Sequence, residues 1–182
     1  MTNKKIILQT ALQLFGEQGY DRTPTSQIAK AASVSEGLIF RHFGNKACLL
    51  EAIIQEGFEQ IAATMEHYSA PSAKPLEAIL EHIEKALTTI RKEEKFWRLA
   101  TKVRFQAAVS ELAGKQIEAA NQFIIKHLTD NFRRLGVENP AAEALFLFAL
   151  IDGICIHWLQ NPAHYPLDDL KNLVLKKYIQ QG

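Results

Sequence analysis

Apolar side chains recur at three-and-four spacing along almost the whole of this 182-residue sequence. No five-residue stretch alternates apolar with polar between turn residues in the manner of a half-buried strand. That periodicity restricts the chain to an all-α fold. With 47% hydrophobic residues there is apolar surface for one good-sized core, or for a small helical unit joined to a larger one.

The breakers divide the pattern into about nine helices. A first runs from about Lys4 to Gln18, burying Ile7, Leu8, Ala11, Leu14 and Phe15, and stops at Gly19, which suits the left-handed position after a helix. A second follows Thr23, whose hydroxyl is expected to cap it, with Pro24 at the first helical position and an end near Ala32. Ser33 and Val34 form a tight turn, Ser35 caps a third short helix reaching about Phe43, and Gly44-Asn45 break the chain again. A fourth extends from Lys46 to about Tyr68, and the Pro-punctuated stretch from Ser69 to Pro75 is the expected loop after it. Ile79, Ile83, Leu87 and Ile90 mark a fifth helix; Phe96, Leu99, Val103 and Ala107 mark a sixth. A seventh carries Ile117, Asn121, Ile124, Leu128, Phe132 and Leu135 and closes at Gly136. After Pro140 comes a helix apolar on nearly every face until Gln160, and a last one carries Leu167, Leu170, Leu173, Val174 and Ile179.

Net charge is +1, which argues against a general polyanion binder, but the distribution is uneven. In the first fifty residues Lys4, Lys5, Arg22, Lys30, Arg41 and Lys46 stand against Glu17, Asp21 and Glu36, so any nucleic-acid partner belongs at that end. Cys48 and Cys155 lie far apart within apolar helical patterns and suggest neither a disulfide nor a metal site; no metal or cofactor is expected. The polar start at Thr2-Asn3-Lys4-Lys5 has no leader-like apolar run. The most apolar run, Ala144 to Ile151, is far shorter than the ~20 residues of a membrane span. The expectation is a cytoplasmic protein with no membrane partner.

Two short helices joined by a tight turn within a basic segment have the form of a helix-turn-helix, which lays its second helix in the DNA major groove. Leu14-Phe15, Gly19-Tyr20, Thr23, Ile28-Ala29, Ala32, Val34-Ser35, Gly37, Phe40, His42-Phe43, Lys46 and Leu49-Leu50 together resemble the DNA-binding signature of the TetR family, over roughly residues 4–55. The chain departs from it twice: Phe40 stands where the family usually has Tyr, losing a phosphate hydrogen bond, and Ser33 where it usually has Gly in the turn. Ser33 must then either accept a left-handed backbone or alter the turn.

The residues carry a physical reading of their own. Ile28, Ala29, Ala32, Val34 and Ile39 form the apolar set that locks the two short helices together. Thr25 and Ser26 open the second helix, where free N–H groups favour a phosphate. Ser35, Glu36, Gly37 and Leu38 form the first turn of the third helix and would face base edges, with Gly37 permitting close approach and Leu38 able to touch a thymine methyl. Arg41, His42 and Lys46 can hold flanking phosphates, and Phe40 keeps a packing role. Residues 1–50 are therefore expected to be the DNA-binding domain, with its helix-turn-helix at about 25–44.

The resemblance implies that residues 51–182 form a helical body that dimerises and encloses an effector site, so that the protein is a regulator, by default a repressor that leaves double-stranded, palindromic operator DNA when a small molecule binds. The helix from Ala141 to Leu159, apolar around its circumference, asks to be covered on two sides, and with the last helix it would build a four-helix bundle across a two-fold axis. Trp97, Arg104, Phe105, Phe123, His127, Phe146 and His157 supply the aromatic walls and few polar groups of a small-molecule site. Enzymatic activity is not expected: His82 with Glu81, His127 with Asp130 and His157 with Asp152 have acid–base character but neither a nucleophile nor a metal-ligand motif beside them.

Overall fold

The structure, a computed structural model, describes residues 2–64, 74–104 and 111–180. Among the described residues every element is a helix: α1 Asn3–Gln18, α2 Thr25–Ala31, α3 Glu36–Phe43, α4 Lys46–Thr64, α5 Pro75–Lys92, α6 Glu94–Arg104, α7 Glu111–Arg134, α8 Pro140–Gln160 and α9 Leu167–Ile179. They gather into two compact units, Met1–Ala63 with Lys95–Glu118, and Thr64–Glu94 with Ala119–Gly182. The expected Tyr68 end of α4, the loop up to Ala73, and Ala107 lie outside the described residues.

In the first unit the expected apolar stripe of α1 is buried at Ile7, Leu8, Ala11 and Phe15, with Leu14 half-buried. Thr2 caps this helix through its side chain, and Gly19 ends it at φ 92°. The cap expected from Thr23 is not made. Pro24 itself occupies the cap position of α2, one residue later, and no side chain caps it. Thr23 is fully buried instead, and its hydroxyl donates to the Gly19 carbonyl at 2.8 Å, satisfying a group the end of α1 leaves unpaired.

The turn after α2 settles the question posed by Ser33, which takes φ 54°. Its N–H donates to the Lys30 carbonyl and that of Val34 to the Ala29 carbonyl, the paired bonds of a Schellman motif with Ser33 at the left-handed position. The turn is kept and the side chain carries the strain, about 1 kcal/mol. Ser35 caps α3 as expected by accepting from the Leu38 N–H. Ile28, Ala29 and Ile39 are buried where α2 meets α3.

The sixth helix completes this unit. It buries Phe96, Leu99, Ala100 and Val103. The Phe96 ring lies over Gly57 of α4, where a Cβ would stand 2.0 Å from Phe96 Cε2, and meets Phe58 edge to face at 5.4 Å. A glycine is required here for the two helices to approach. Lys102 Nζ donates to the Gly16 carbonyl at 2.5 Å and the Glu17 carbonyl at 3.4 Å. The last turn of α1 has no basic residue of its own, so Lys102 supplies the positive charge that its C-terminal carbonyls favour.

The second unit is built on α5, whose Ile79, Ile83, Leu87 and Ile90 are all buried, as expected from their spacing. The helix packs along α9 and α8. The α7 stripe narrows to Leu128 and Phe132, the fully buried members, while Leu135 is exposed. Tyr178 of α9 is buried and donates its hydroxyl to Glu143 of α8 at 2.8 Å. Arg91 holds Asp168 through two hydrogen bonds, 3.0 and 2.8 Å, and Lys171 pairs with Glu84 at 2.8 Å.

Helix α8 has two apolar faces. Ala144, Leu147, Ile151, Ile154 and Trp158 form the buried one, while Leu145 and Phe146 are 52% and 50% exposed on the other. With 21 residues and a mean hydropathy of 1.7 in its most apolar window, α8 is long and apolar enough to cross a membrane, beyond what the Ala144 to Ile151 run alone suggests. Its buried stripe, the Glu143–Tyr178 bond and Asp152 in mid-helix mark it as a helix of a folded unit.

Candidate nucleic-acid interface

Two helices of seven and eight residues cannot hold their own shape in water, so tertiary packing must fix the attitude of the second. Ile39 and Phe43 are the buried residues of α3 and pin its inner face. Its outer face is left to solvent. Gly37, Phe40, Arg41 and His42 are exposed, Phe40 by 44%, and Glu36 and Leu38 are half-buried. A Cβ built on Gly37 meets nothing within 4 Å, so no packing within the chain explains a glycine there. That open space suits the approach of another backbone or a base edge.

The residues expected to touch DNA lie on α2, at the cap and along α3, and at the start of α4, but two are already engaged with each other. Thr25 Oγ1 donates to Glu36 Oε1 at 2.5 Å, joining the first residue of α2 to the first of α3. Ser26 and Ser35 are exposed, the latter's hydroxyl oxygen spent on the Leu38 N–H. Lys46 opens α4, with Nζ 4.3 Å above the Tyr20 ring and 3.4 Å from the Asp21 carbonyl. Burial pulls its pKa below the ordinary lysine value, against the raising influence of Asp21. Sequence reasoning left Tyr20 without a role. Its ring packs edge to face on Phe15 at 5.2 Å and serves as the platform that aims Lys46.

The residues expected around an effector are distributed over both units. In the first, Trp97 is half-buried, and its indole Nε1 is buried with no hydrogen-bond partner among the described residues; Arg104 is exposed at the end of α6. Phe105 lies outside the described residues. In the second unit Phe123 and Phe146 are exposed, the latter with Lys177 Nζ 4.1 Å over its ring. His127 is half-buried, its Nε2 3.2 Å from Asn131 Nδ2, which also donates to the His127 carbonyl at 2.9 Å. His157 is exposed and stacks on Tyr165.

Of the six that are described, only His157 lines the open groove of about 1010 Å³ along α8 and α9, which is walled mainly by Ala149, Leu150, Ile154, Leu170, Leu173 and Val174. Two buried residues of the same unit, His82 and Asn131, are not among the expected site residues, His82 entering the sequence reading only as an acid–base group beside Glu81. His82 is 4% exposed, and burial first, then the neighbouring His127, pull its pKa down to about 4. Asn131 is equally buried.

Comparison with known proteins bears on both regions. Residues 7–53 match the family described as bacterial regulatory proteins, tetR family, and residues 75–181 match the BetI-type transcriptional repressor C-terminal family. The fatty acid metabolism regulator protein of Bacillus subtilis (strain 168) is 25% identical over 178 residues, covering 93% of this chain and 90% of that one. The crystal structure of NalD, the secondary repressor of the MexAB-OprM multidrug efflux pump in Pseudomonas aeruginosa, is similar with a TM-score of 0.76 at 26% identity, over 98% and 94% of the two chains. FadR from Bacillus subtilis in complex with stearoyl-CoA shares the fold, with a TM-score of 0.80 at 22% identity over 96% of each chain. With a matched helix-turn-helix at one end and a matched repressor-type helical region over most of the rest, this chain belongs to the TetR family of bacterial transcriptional regulators.

Proposed function

We propose that the chain is a cytoplasmic, ligand-responsive repressor, active as a homodimer on a palindromic operator, with residues 1–50 reading DNA and residues 51–182 dimerising and sensing. The observation that carries this reading is the two-faced α3: Ile39 and Phe43 are buried, while Gly37, Phe40, Arg41 and His42 are presented to solvent. A helix so pinned is preorganised for the major groove, and Ser35, Glu36, Gly37 and Leu38 occupy the turn that would meet base edges. Arg41, His42 and Lys46 would hold phosphates.

One such head makes too few base contacts for specificity, so two must act together on half-sites about 34 Å apart or a multiple of that. The α8–α9 groove, with Leu173 64% exposed beside Leu145 and Phe146, supports a second copy of the chain as its cover. For the sensing role, the Trp97 indole N–H, buried with no partner among the described residues, is the supporting feature: leaving such a donor unbonded costs about 1–3 kcal/mol, which a ligand acceptor would recover. The named relatives make a long-chain acyl-CoA the first effector class to try.

The test is an electrophoretic shift with the DNA flanking the protein's own gene, at rising salt and then with added stearoyl-CoA. Specific binding that weakens steeply with salt and is released by the thioester supports the reading. Equal affinity for flanking and random DNA would overturn it.

A further inference from the structure

The bond between Thr25 and Glu36 fixes a carboxylate at the start of α3. Glu36 is the first residue of α3, half-buried, with one carboxylate oxygen taken by the Thr25 hydroxyl at 2.5 Å. A carboxylate is an acceptor only, with about four lone-pair directions on its two oxygens, so Thr25 fixes the side chain and leaves the second oxygen able to accept. Immediately beside it, Gly37 presents no side chain, and a Cβ there would meet nothing, so the space next to Glu36 is open on the solvent side.

In the major groove the only hydrogen-bond donors are the exocyclic amines of cytosine and adenine. Guanine and thymine offer acceptors, which a carboxylate repels. Adenine sets its N7 acceptor next to its amine, whereas cytosine has a C–H in the corresponding place, so cytosine suits a lone carboxylate better.

We propose that Glu36 is a specificity-determining residue that selects cytosine at one position of each operator half-site, with Thr25 as the residue that positions it. This rests on the operator-binding reading above. The carboxylate also opposes approach to the phosphates of any DNA lacking that cytosine, so it narrows the sequence choice while lowering the general affinity. Thr25 is thereby turned from a phosphate contact into an internal one.

The test is selection from a pool of randomised duplexes by the full-length protein, followed by affinity measurement on single-base variants of the selected site. Wild type should select a site with one cytosine per half-site whose replacement by any other base weakens binding roughly tenfold or more. Glu36→Gln should shift that position alone to adenine, since a carboxamide pairs with the adenine amine and N7 together. Thr25→Val should keep the cytosine but blunt the preference, and Thr25→Ser, which restores a hydroxyl, should recover it. A merely structural clasp would move none of these single-position preferences. A selected site whose base preferences are the same for wild type and Glu36→Gln overturns this proposal while leaving operator binding intact. Failure of the wild type to select any site overturns both.

Discussion

Replacing Gly153 by Asp separates the surface role of α8 from its role in the fold. Gly153 lines the open groove, and a Cβ added to it meets nothing within 4 Å among the described residues beyond the backbone of its own helix. The isolated chain should therefore accommodate the side chain, and Gly and Asp are both weak helix formers, differing by only a few tenths of a kcal/mol. In a two-fold dimer covering the groove the same position contributes two carboxylates, one per protomer, to an apolar surface. A charge desolvated without a partner is destabilising by about 3–5 kcal/mol, so even one of the two multiplies the dimer dissociation constant by roughly 150 to 5,000. Sedimentation equilibrium over a range of concentrations measures this directly, with circular dichroism and thermal melting as the check on folding. Gly153→Ala, which adds only the Cβ, gives the control for the effect of size. The expected result is a helical, cooperatively folded Gly153→Asp monomer at concentrations where wild type is a dimer, with operator affinity lost alongside. A variant that stays dimeric and binds its operator normally, or a wild type that is monomeric at micromolar concentration, would refute the placement of the interface.

Three further expectations follow from single residues. Ser33→Gly should raise stability by up to about 0.5 kcal/mol in urea denaturation, because relief of the left-handed strain at φ 54° offsets or slightly exceeds the added freedom of the unfolded chain; a clearly lower midpoint would show that the serine is unstrained. His82 has a folded pKa of about 4 against an ordinary 6.5, so the unfolded chain binds the extra proton between these values and stability is full above about pH 6.5 and falls below it. Denaturation at pH 7.5 and pH 5 should differ by about 2 kcal/mol more in wild type than in His82→Phe, and equal differences would remove His82 as the cause. Lys46→Ala should weaken binding to specific and random DNA alike and lower the salt slope by about one, and an unchanged slope would leave Lys46 only its contacts within the chain, with the Tyr20 ring and the Asp21 carbonyl.

What the sequence made legible was the chemistry of neighbours. The Ser35 cap, the end of α7 at Gly136 and the buried stripe of α5 are short-range consequences of residue type, and each is where periodicity and cap rules put it. The Thr23 cap failed because a hydroxyl has a choice of partners, and the end of α1 lay closer than the start of α2. The candidate interface was legible as a set of positions. That Thr25 and Glu36 would satisfy each other was not, since the two residues are eleven positions apart and their meeting depends on how α2 and α3 cross. The same limit hid Lys102 on the carbonyls of α1 and Phe96 on Gly57, contacts between residues tens of positions apart. His82 reads in the sequence only as an acid–base partner of Glu81, because neither its burial nor its nearness to His127 can be read from local spacing.

The packing of α6 bears on how such a protein can be cut and recombined. The unit that contains the helix-turn-helix is assembled from two separate stretches of chain, with α5 lying between them in sequence but in the other unit. A hybrid regulator made by grafting the first fifty residues onto a foreign body would inherit α1 without Lys102 for its terminal carbonyls, and would lack Lys95, whose carbonyl lies 3.2 Å from where Gly16 would carry a Cβ. A graft that also transplants residues 95–118, together with the Gly57 and Phe58 that receive Phe96, carries a complete module. Modularity in this chain is thus a property of interlocking strips, and exchangeable parts have to be chosen by contact and not by position along the gene.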